Sequence, residues 1–342
     1  MVRSYPRGIC MKSKTRIIAF ANNKGGSAKT TTCVNLAYCL SVLGRRVLVI
    51  DGDMQLNLSL SFFGEEEVLA MSAGEKNLYQ AIREQTDLRE YIVHTSYDGL
   101  DLAPSSLLMS GIEYELFSRE RREYLLRECL RGVRESGIYD YILIDSPPTL
   151  GGWVMNILCA ADEVVVPVEA SPWGLFGLAN MFEFLDSARE FNEELRLLGV
   201  AVTKLDLRKG YSRQTLKTIR EFADIPVFHQ VIRIDSEIEW AQDNSKPVMA
   251  HRKSARSAGE YMELAKEVDG YAVRDRQSAA SRGKGFWRGG RAEKGSRKEC
   301  GCERDGSKKG DRTKEERRGK NNEGQYSISP HGSAAILFAI TK

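Results

Sequence analysis

The chain predicts an α/β fold in which a mostly parallel, twisted sheet carries helices on both faces. Three observations support this. Short β-branched apolar runs alternate with longer segments of helical period, the pattern of crossover units on a parallel sheet. The runs are apolar almost throughout, as strands buried on both faces must be. Finally, 342 residues with 42% hydrophobic and 28% charged content suffice for one large core of this kind.

Taken in order, the first strand is expected over Arg16 to Phe20, followed by a Gly-rich turn and a helix from Thr30 to Leu43. A second strand, Arg46 to Asp51, ends in carboxylates. Helix Asn77 to Glu84 and strand Leu100 to Ala103 come next, then a long helical pattern from Gly111 to Glu135. Strand Tyr141 to Asp145 is halted by Pro147 and Pro148, which offer no amide hydrogen to a ladder. Strands Glu163 to Val168 and Leu198 to Thr203 flank a helix from Gly174 to Glu193, and Cys159 lies in a helical pattern before them. The remaining elements are helix Tyr211 to Phe222, strand Val227 to Val231, and helices Ser236 to Gln242 and Ala258 to Val268. No internal repeat is present.

The summed charge of +3 conceals two different parts. Residues 1–269 hold 32 Lys+Arg against 38 Asp+Glu, while residues 270–342 hold 18 against 9. The latter are rich in Gly, Ser, Lys and Arg and cannot bury enough surface to offset their ordering entropy, so 270–342 is expected to be a disordered basic tail. Residues 1–14 form an unpatterned extension in which Met11 is a plausible start, leaving 15–269 as the folded domain. The longest apolar runs fall far short of the roughly 20 residues that cross a bilayer, and Arg3 and Arg7 lead into polar Lys12-Ser13-Lys14 and not an apolar signal core. A cytoplasmic location follows as the expectation. Seven cysteines scattered through apolar patterns read as core thiols without disulfides. Cys300-Gly-Cys302 with His331 is too sparse a set to assign a metal.

After the first strand stands Asn22-Asn23-Lys24-Gly25-Gly26-Ser27-Ala28-Lys29-Thr30-Thr31, running into a helix. Strand, glycine turn and helix in that order make a phosphate-binding loop. Gly25 and Gly26 let successive amides converge, Lys29 supplies a cation, and the helix N-terminus adds about half a positive charge. Thr30 stands where a hydroxyl can ligate Mg²⁺. The strict GxxxxGK[ST] pattern fails at Asn23 and Ala28. Asp51-Gly52-Asp53-Met54-Gln55-Leu56-Asn57 and Asp145-Ser146-Pro147-Pro148 place carboxylates at strand ends, where open α/β sheets bind ligands.

The string with Lys24 ahead of the glycine pair resembles the deviant Walker A of the ParA/Soj/MinD family of P-loop ATPases, closest to the ParA/Soj partitioning branch. The similarity extends over roughly residues 15–268, including Asp53 in a switch I of DxDPQxN type, Asp145 in a DxPP switch II, and Ala161 to Leu175. Ala28 replaces the usual glycine and Met54 the usual proline. The resemblance implies an ATPase using ATP and Mg²⁺. Lys24, Gly25, Gly26, Ser27, Ala28, Lys29, Thr30 and Thr31 would hold nucleotide, and Thr30 and Asp145 the metal. Lys24, Lys29 and Asp53 would be catalytic, with Lys24 reaching phosphates of a second copy and Asp53 positioning water. It further implies ATP-dependent homodimerisation, non-specific DNA binding in association with the nucleoid, and release by a ParB-like centromere-binding adaptor.

Thr203-Lys204-Leu205-Asp206 resembles the guanine-reading string of GTPases but is read here as adenine-pocket wall, with GTP the alternative. Arg208, Lys209, Arg213 and Arg233 are candidate DNA contacts, and a solvated charged face is the other reading. A MinD-like membrane-cycling ATPase is the rival function. It needs a C-terminal amphipathic helix, which neither Ala258 to Val268 nor the tail displays, so no stable membrane association is expected. A nitrogenase-reductase-like carrier would need cysteines in Gly-rich loops, and a polysaccharide-export kinase relative a C-terminal tyrosine cluster. Neither is present.

Overall fold

The computed structural model describes residues 15–222 and 225–282. The tail beyond residue 282, the first 14 residues and the Cys300/His331 group lie outside the described residues. Among the described residues the strands are β1 (Arg16–Phe20), β2 (Val47–Asp51), β3 (Val93–His94), β4 (Leu100–Ala103), β5 (Tyr141–Asp145), β6 (Glu163–Glu169) and β7 (Arg196–Thr203). They form a sheet of order β3-β4-β2-β5-β1-β6-β7, parallel except for the short edge strand β3. The helices are α1 (Lys29–Val42), α2 (Asn57–Leu60), α3 (Glu65–Ala73), α4 (Leu78–Glu84), α5 (Ile112–Phe117), α6 (Leu125–Ser136), α7 (Gly152–Ala160), α8 (Pro172–Arg189), α9 (Gly210–Glu221), α10 (Ser236–Asp243), α11 (Val248–His251) and α12 (Arg256–Arg282).

Both faces of the sheet are covered, which is why its strands read as unbroken apolar runs. On one face Ile17, Ala19, Leu48, Ile50, Ile142 and Ile144 pack with residues of α4, α6, α7 and α8. On the other, Ile18, Phe20, Val47, Val49, Tyr141 and Leu143 pack with α1 and α12. Adjacent strand residues thus alternate between two cores. Cys33, Cys39, Cys129 and Cys159 are buried thiols within them. Burial pushes the Cys39 and Cys159 thiols up to about 12 and Cys129 to about 11.

Several elements differ from the sequence expectation. Gly111 to Glu135 is two helices, because Arg121 takes a left-handed conformation (φ 52°) that no α-helix accommodates. Asn156 satisfies the broken turn, accepting from the Leu126 amide and donating to the Arg122 carbonyl. Val227 to Val231 is not a strand. Val227 makes an isolated bridge to Val200 beside Pro226, whose missing amide removes a rung. α12 continues to Arg282, well past Val268. α3 went unpredicted because only Val68 and Ser72 of it are buried, leaving no apolar stripe to read. No described helix is long and apolar enough to cross a membrane.

The order of the central strands positions the site. β5 lies between β1 and β2, with Phe20 and Asp51 both in register with Asp145. The segments leaving β1, β2 and β5 therefore emerge side by side at one carboxyl edge.

Candidate nucleotide-binding site

A cleft of about 690 Å³ opens at that edge. Its wall includes Gly25 to Thr31 of the loop after β1, with Asp53, Gln55 and Asn57 after β2, Pro148 after β5, and Thr203 and Lys204 at the end of β7. The sequence had placed these segments apart. The sheet brings them to one opening.

The phosphate loop is shaped as the sequence predicts, at some strain. Gly26 is left-handed at φ +72°, as is Ala28 at φ 67°, immediately before α1. For an L residue that conformation costs about 1–2 kcal/mol. Ala28→Gly removes this strain but adds chain entropy to the unfolded state. The expected net result is a stability equal to or above wild type, by up to about 1 kcal/mol, read as a melting temperature that does not fall. A clear fall in a nucleotide-free thermal melt would contradict the strained geometry. The loop is held from beneath by Thr203, whose hydroxyl reaches the Ser27 carbonyl at 3.1 Å and the Val168 carbonyl at 3.2 Å.

Electrostatics concentrate around Lys29 and Asp145. Lys29 is buried, and desolvation lowers its pKa, with Asp145 and Asp53 opposing that fall. Asp145 is fully buried at the end of β5, and burial raises its carboxyl to about 8. Thr30 Oγ1 donates to Asp145 Oδ2 at 2.6 Å, whereas Asp145 Oδ1 is buried with no hydrogen-bond partner. An unpartnered carboxylate oxygen beside a threonine hydroxyl is a donor set suited to a small, hard cation such as Mg²⁺. The residues fit the ion.

Asp51 and Asp53 divide their work. Asp51 Oδ2 accepts from the Ser59 amide (2.9 Å) and hydroxyl (2.7 Å), and Oδ1 from the Asp53 amide at 3.3 Å. It is therefore the internal brace of the loop, fully buried, with its carboxyl raised to about 6 by that burial. Asp53 lines the cleft and accepts from the Gln55 amide at 3.1 Å. The two switch segments are joined directly. Gly52 N donates to the Asp145 carbonyl at 3.0 Å, and Trp153 Nε1 at the start of α7 donates to the Gly52 carbonyl at 2.8 Å.

The remaining candidates separate. Asp206 does not line the cleft and is bound by the neighbouring Arg208 guanidinium at 2.9 and 3.0 Å, which holds its carboxyl down at about 2. It is committed to that arginine, while Thr203 and Lys204 remain in the wall. Lys209 lies over the Tyr211 ring, and Arg213 donates to the Leu207 carbonyl, so Arg208, Lys209 and Arg213 share the segment from β7 into α9. Arg233 stands apart from them in position. It lines the cleft and pairs with Glu260 through Nε at 2.5 Å. Sequence reasoning missed the contribution of Ile232 to Gln242, which closes one side of the cleft and reaches Thr31 through Gln242 Nε2 at 3.0 Å. No phosphate or carboxylate motif marks that segment. It also missed the partner of Lys24, whose ammonium lies 2.7 Å from Glu169 Oε2.

Residues 15–197 match the family AAA_31, described as AAA domain. The chain is 34% identical over 267 residues to the chromosome partitioning protein ParA of Caulobacter vibrioides, covering 78% of this chain and 98% of that one. It is 35% identical over 254 residues to the sporulation initiation inhibitor protein Soj of Bacillus subtilis, covering 74% and 98%. Among solved structures, cobyrinic acid a,c-diamide synthase from Mycobacterium smegmatis with bound ATP analog and magnesium superposes with a TM-score of 0.60 at 30% identity, covering 74% and 93%.

Proposed function

The chain belongs to the ParA/Soj family of P-loop partitioning ATPases, and we propose that it is an Mg²⁺-dependent ATPase that segregates DNA. In this reading two copies close over bound ATP, the closed dimer holds DNA without sequence preference, and hydrolysis stimulated by a ParB-like adaptor releases it. The observation that carries the enzymatic half is the convergence of the phosphate loop and Asp53 on one cleft, with buried Asp145 joined to the cleft-lining Thr30 by a hydrogen bond of 2.6 Å. The ATP analog and magnesium in the related synthase structure support the choice of ligands.

Within the cleft the loop amides from Gly25 to Thr30 would cradle the phosphates, with Lys29 beside them as a partly desolvated cation. Desolvation strengthens its attraction to a polyanion and makes an unpaired ammonium costly without one. Thr30 and Asp145 would hold Mg²⁺, which when bound neutralises charge developing on the transferred phosphoryl group. Asp53 would accept a hydrogen bond from the attacking water, held in place by its Gln55 contact and by the Asp51 brace. The hydroxyl of Thr203 keeps the loop from sagging into β6 and β7. Lys24 would reach the phosphates of the second copy. Asp206 lies outside the cleft wall and is held by Arg208, so the carboxylate of this string is not placed to pair with guanine, which favours adenine.

DNA binding rests on Arg208, Lys209 and Arg213, doubled by dimerisation on a body that is otherwise acidic. Affinity is then expected to require ATP, to ignore sequence, and to fall steeply with salt. A gel-shift titration with ATP and with ADP, on the full chain and on one ending at Arg282, tests this. Binding that vanishes on truncation and is indifferent to nucleotide would assign DNA contact to the tail and refute the switch.

A further inference from the structure

The residues around Lys24 form a holder that the phosphate chemistry does not require. Its backbone amide donates to Asn22 Oδ1 at 3.0 Å, and Asn22 Nδ2 donates to the Pro167 carbonyl of β6 at 2.7 Å. Its stem crosses Gly177 of α8, where an added Cβ would lie 3.5 Å from Lys24 Cβ. Its ammonium donates to Glu169 Oε2 at 2.7 Å and to Ser171 Oγ at 3.3 Å. Ser171 is itself the N-cap of α8, accepting from the Gly174 amide at 3.2 Å. The β6–α8 junction thus grips Lys24 at backbone, stem and head within one copy. Trp173 and Phe176, on the first turns of α8, are 76% and 48% exposed.

We propose that Glu169 is a positioning residue that clamps Lys24 in cis and sets how readily two copies close over ATP. The inference rests on the proposed role of Lys24 in reaching a second copy's phosphates. One ammonium cannot serve a cis carboxylate and a trans phosphate at full strength, so closure must release the Lys24–Glu169 pair. The pair is partly exposed, with side chains 27% and 36% accessible, which makes it a weak restraint. A weak restraint is suited to this task, because phosphate can displace it. Two pairs break per dimer formed, so the effect on the dimer constant is squared. Ser171 keeps the released head near the surface through a neutral contact, and the exposed Trp173 and Phe176 flank the place where the partner's surface would arrive.

Glu169→Gln preserves size and a hydrogen-bond acceptor while removing the charge. In sedimentation with ATP and Mg²⁺, it is expected to dimerise at about tenfold lower protein concentration than wild type. In a Lys24→Ala background the same change is expected to have no effect, which a general change in surface charge would not reproduce. Independently of dimerisation, acetic anhydride should label Lys24 faster in Glu169→Gln than in wild type without nucleotide, as read by mass spectrometry. Loss of dimer in Lys24→Ala with no gain in Glu169→Gln would overturn the clamp alone. Equal dimerisation of Lys24→Ala and wild type would overturn both the clamp and the trans role on which it rests.

Discussion

Asp145→Asn is expected to abolish Mg²⁺-dependent ATP turnover, by about 10²-fold or more, while raising the melting temperature of the nucleotide-free protein at pH 8. Turnover is lost because an amide is a poor ligand for a hard cation and carries no charge. Stability rises because the wild-type carboxylate is buried, with one oxygen unpartnered. Burial raises its pKa to about 8, against about 3.9 for an unfolded aspartate. A carboxyl with a raised folded pKa contributes stability when protonated. That contribution is complete below the unfolded value and is lost as pH climbs from about 4 to about 8. The asparagine variant escapes the loss, since Thr30 can still donate to its carbonyl. Its advantage is expected to reach on the order of 1–3 kcal/mol at pH 8 and to shrink toward pH 5. Thermal melts of both proteins across that range check this. An advantage that grows toward acid would contradict the buried-charge explanation.

Gly52→Ala is the second large effect. A Cβ on Gly52 would lie 2.4 Å from the Asp145 carbonyl oxygen and 3.2 Å from Ile157 Cδ1. The first neighbour is backbone at the end of a central strand and cannot give way cheaply. The segment carrying Asp53 must therefore move off β5, weakening the Gly52–Asp145 bond and the Trp153 tether. A destabilisation of about 1–3 kcal/mol is expected. Turnover should fall further than ATP affinity, since the phosphate loop is untouched and Asp53, the carboxylate proposed to position water, is displaced. Calorimetric ATP binding with steady-state turnover separates the two. Equal losses in both would place Gly52 in a general structural role.

Much of this was legible in the sequence, for identifiable reasons. β1, β2, β5 and β6 are buried on both faces, so their apolar runs had no polar interruptions to obscure them. The phosphate loop was legible because its glycines, lysines and threonines lie on one continuous stretch. Long-range relations were not. Nothing near Lys24 in sequence announces Glu169, 145 residues away, and the pair exists only because β6 lies beside β1. Arg233 resembled a free surface cation until Glu260, from α12, was seen to bind it. The Arg121 break depends on Asn156 in α7, a contact no local periodicity encodes. The choice of Asp53 over Asp51 rested on the resemblance alone, and the Ser59 contacts that tie Asp51 into its own loop were not legible in the motif.

The central claim is that ATP bound at this cleft closes two copies and that Asp53 acts in hydrolysis and not in binding. Sedimentation velocity of Asp53→Ala, with ATP and Mg²⁺ and separately with ADP and Mg²⁺, tests it most directly. The account predicts a stable dimer with ATP, monomer with ADP, and turnover far below wild type. A monomer in both nucleotides, with ATP binding intact, would contradict it.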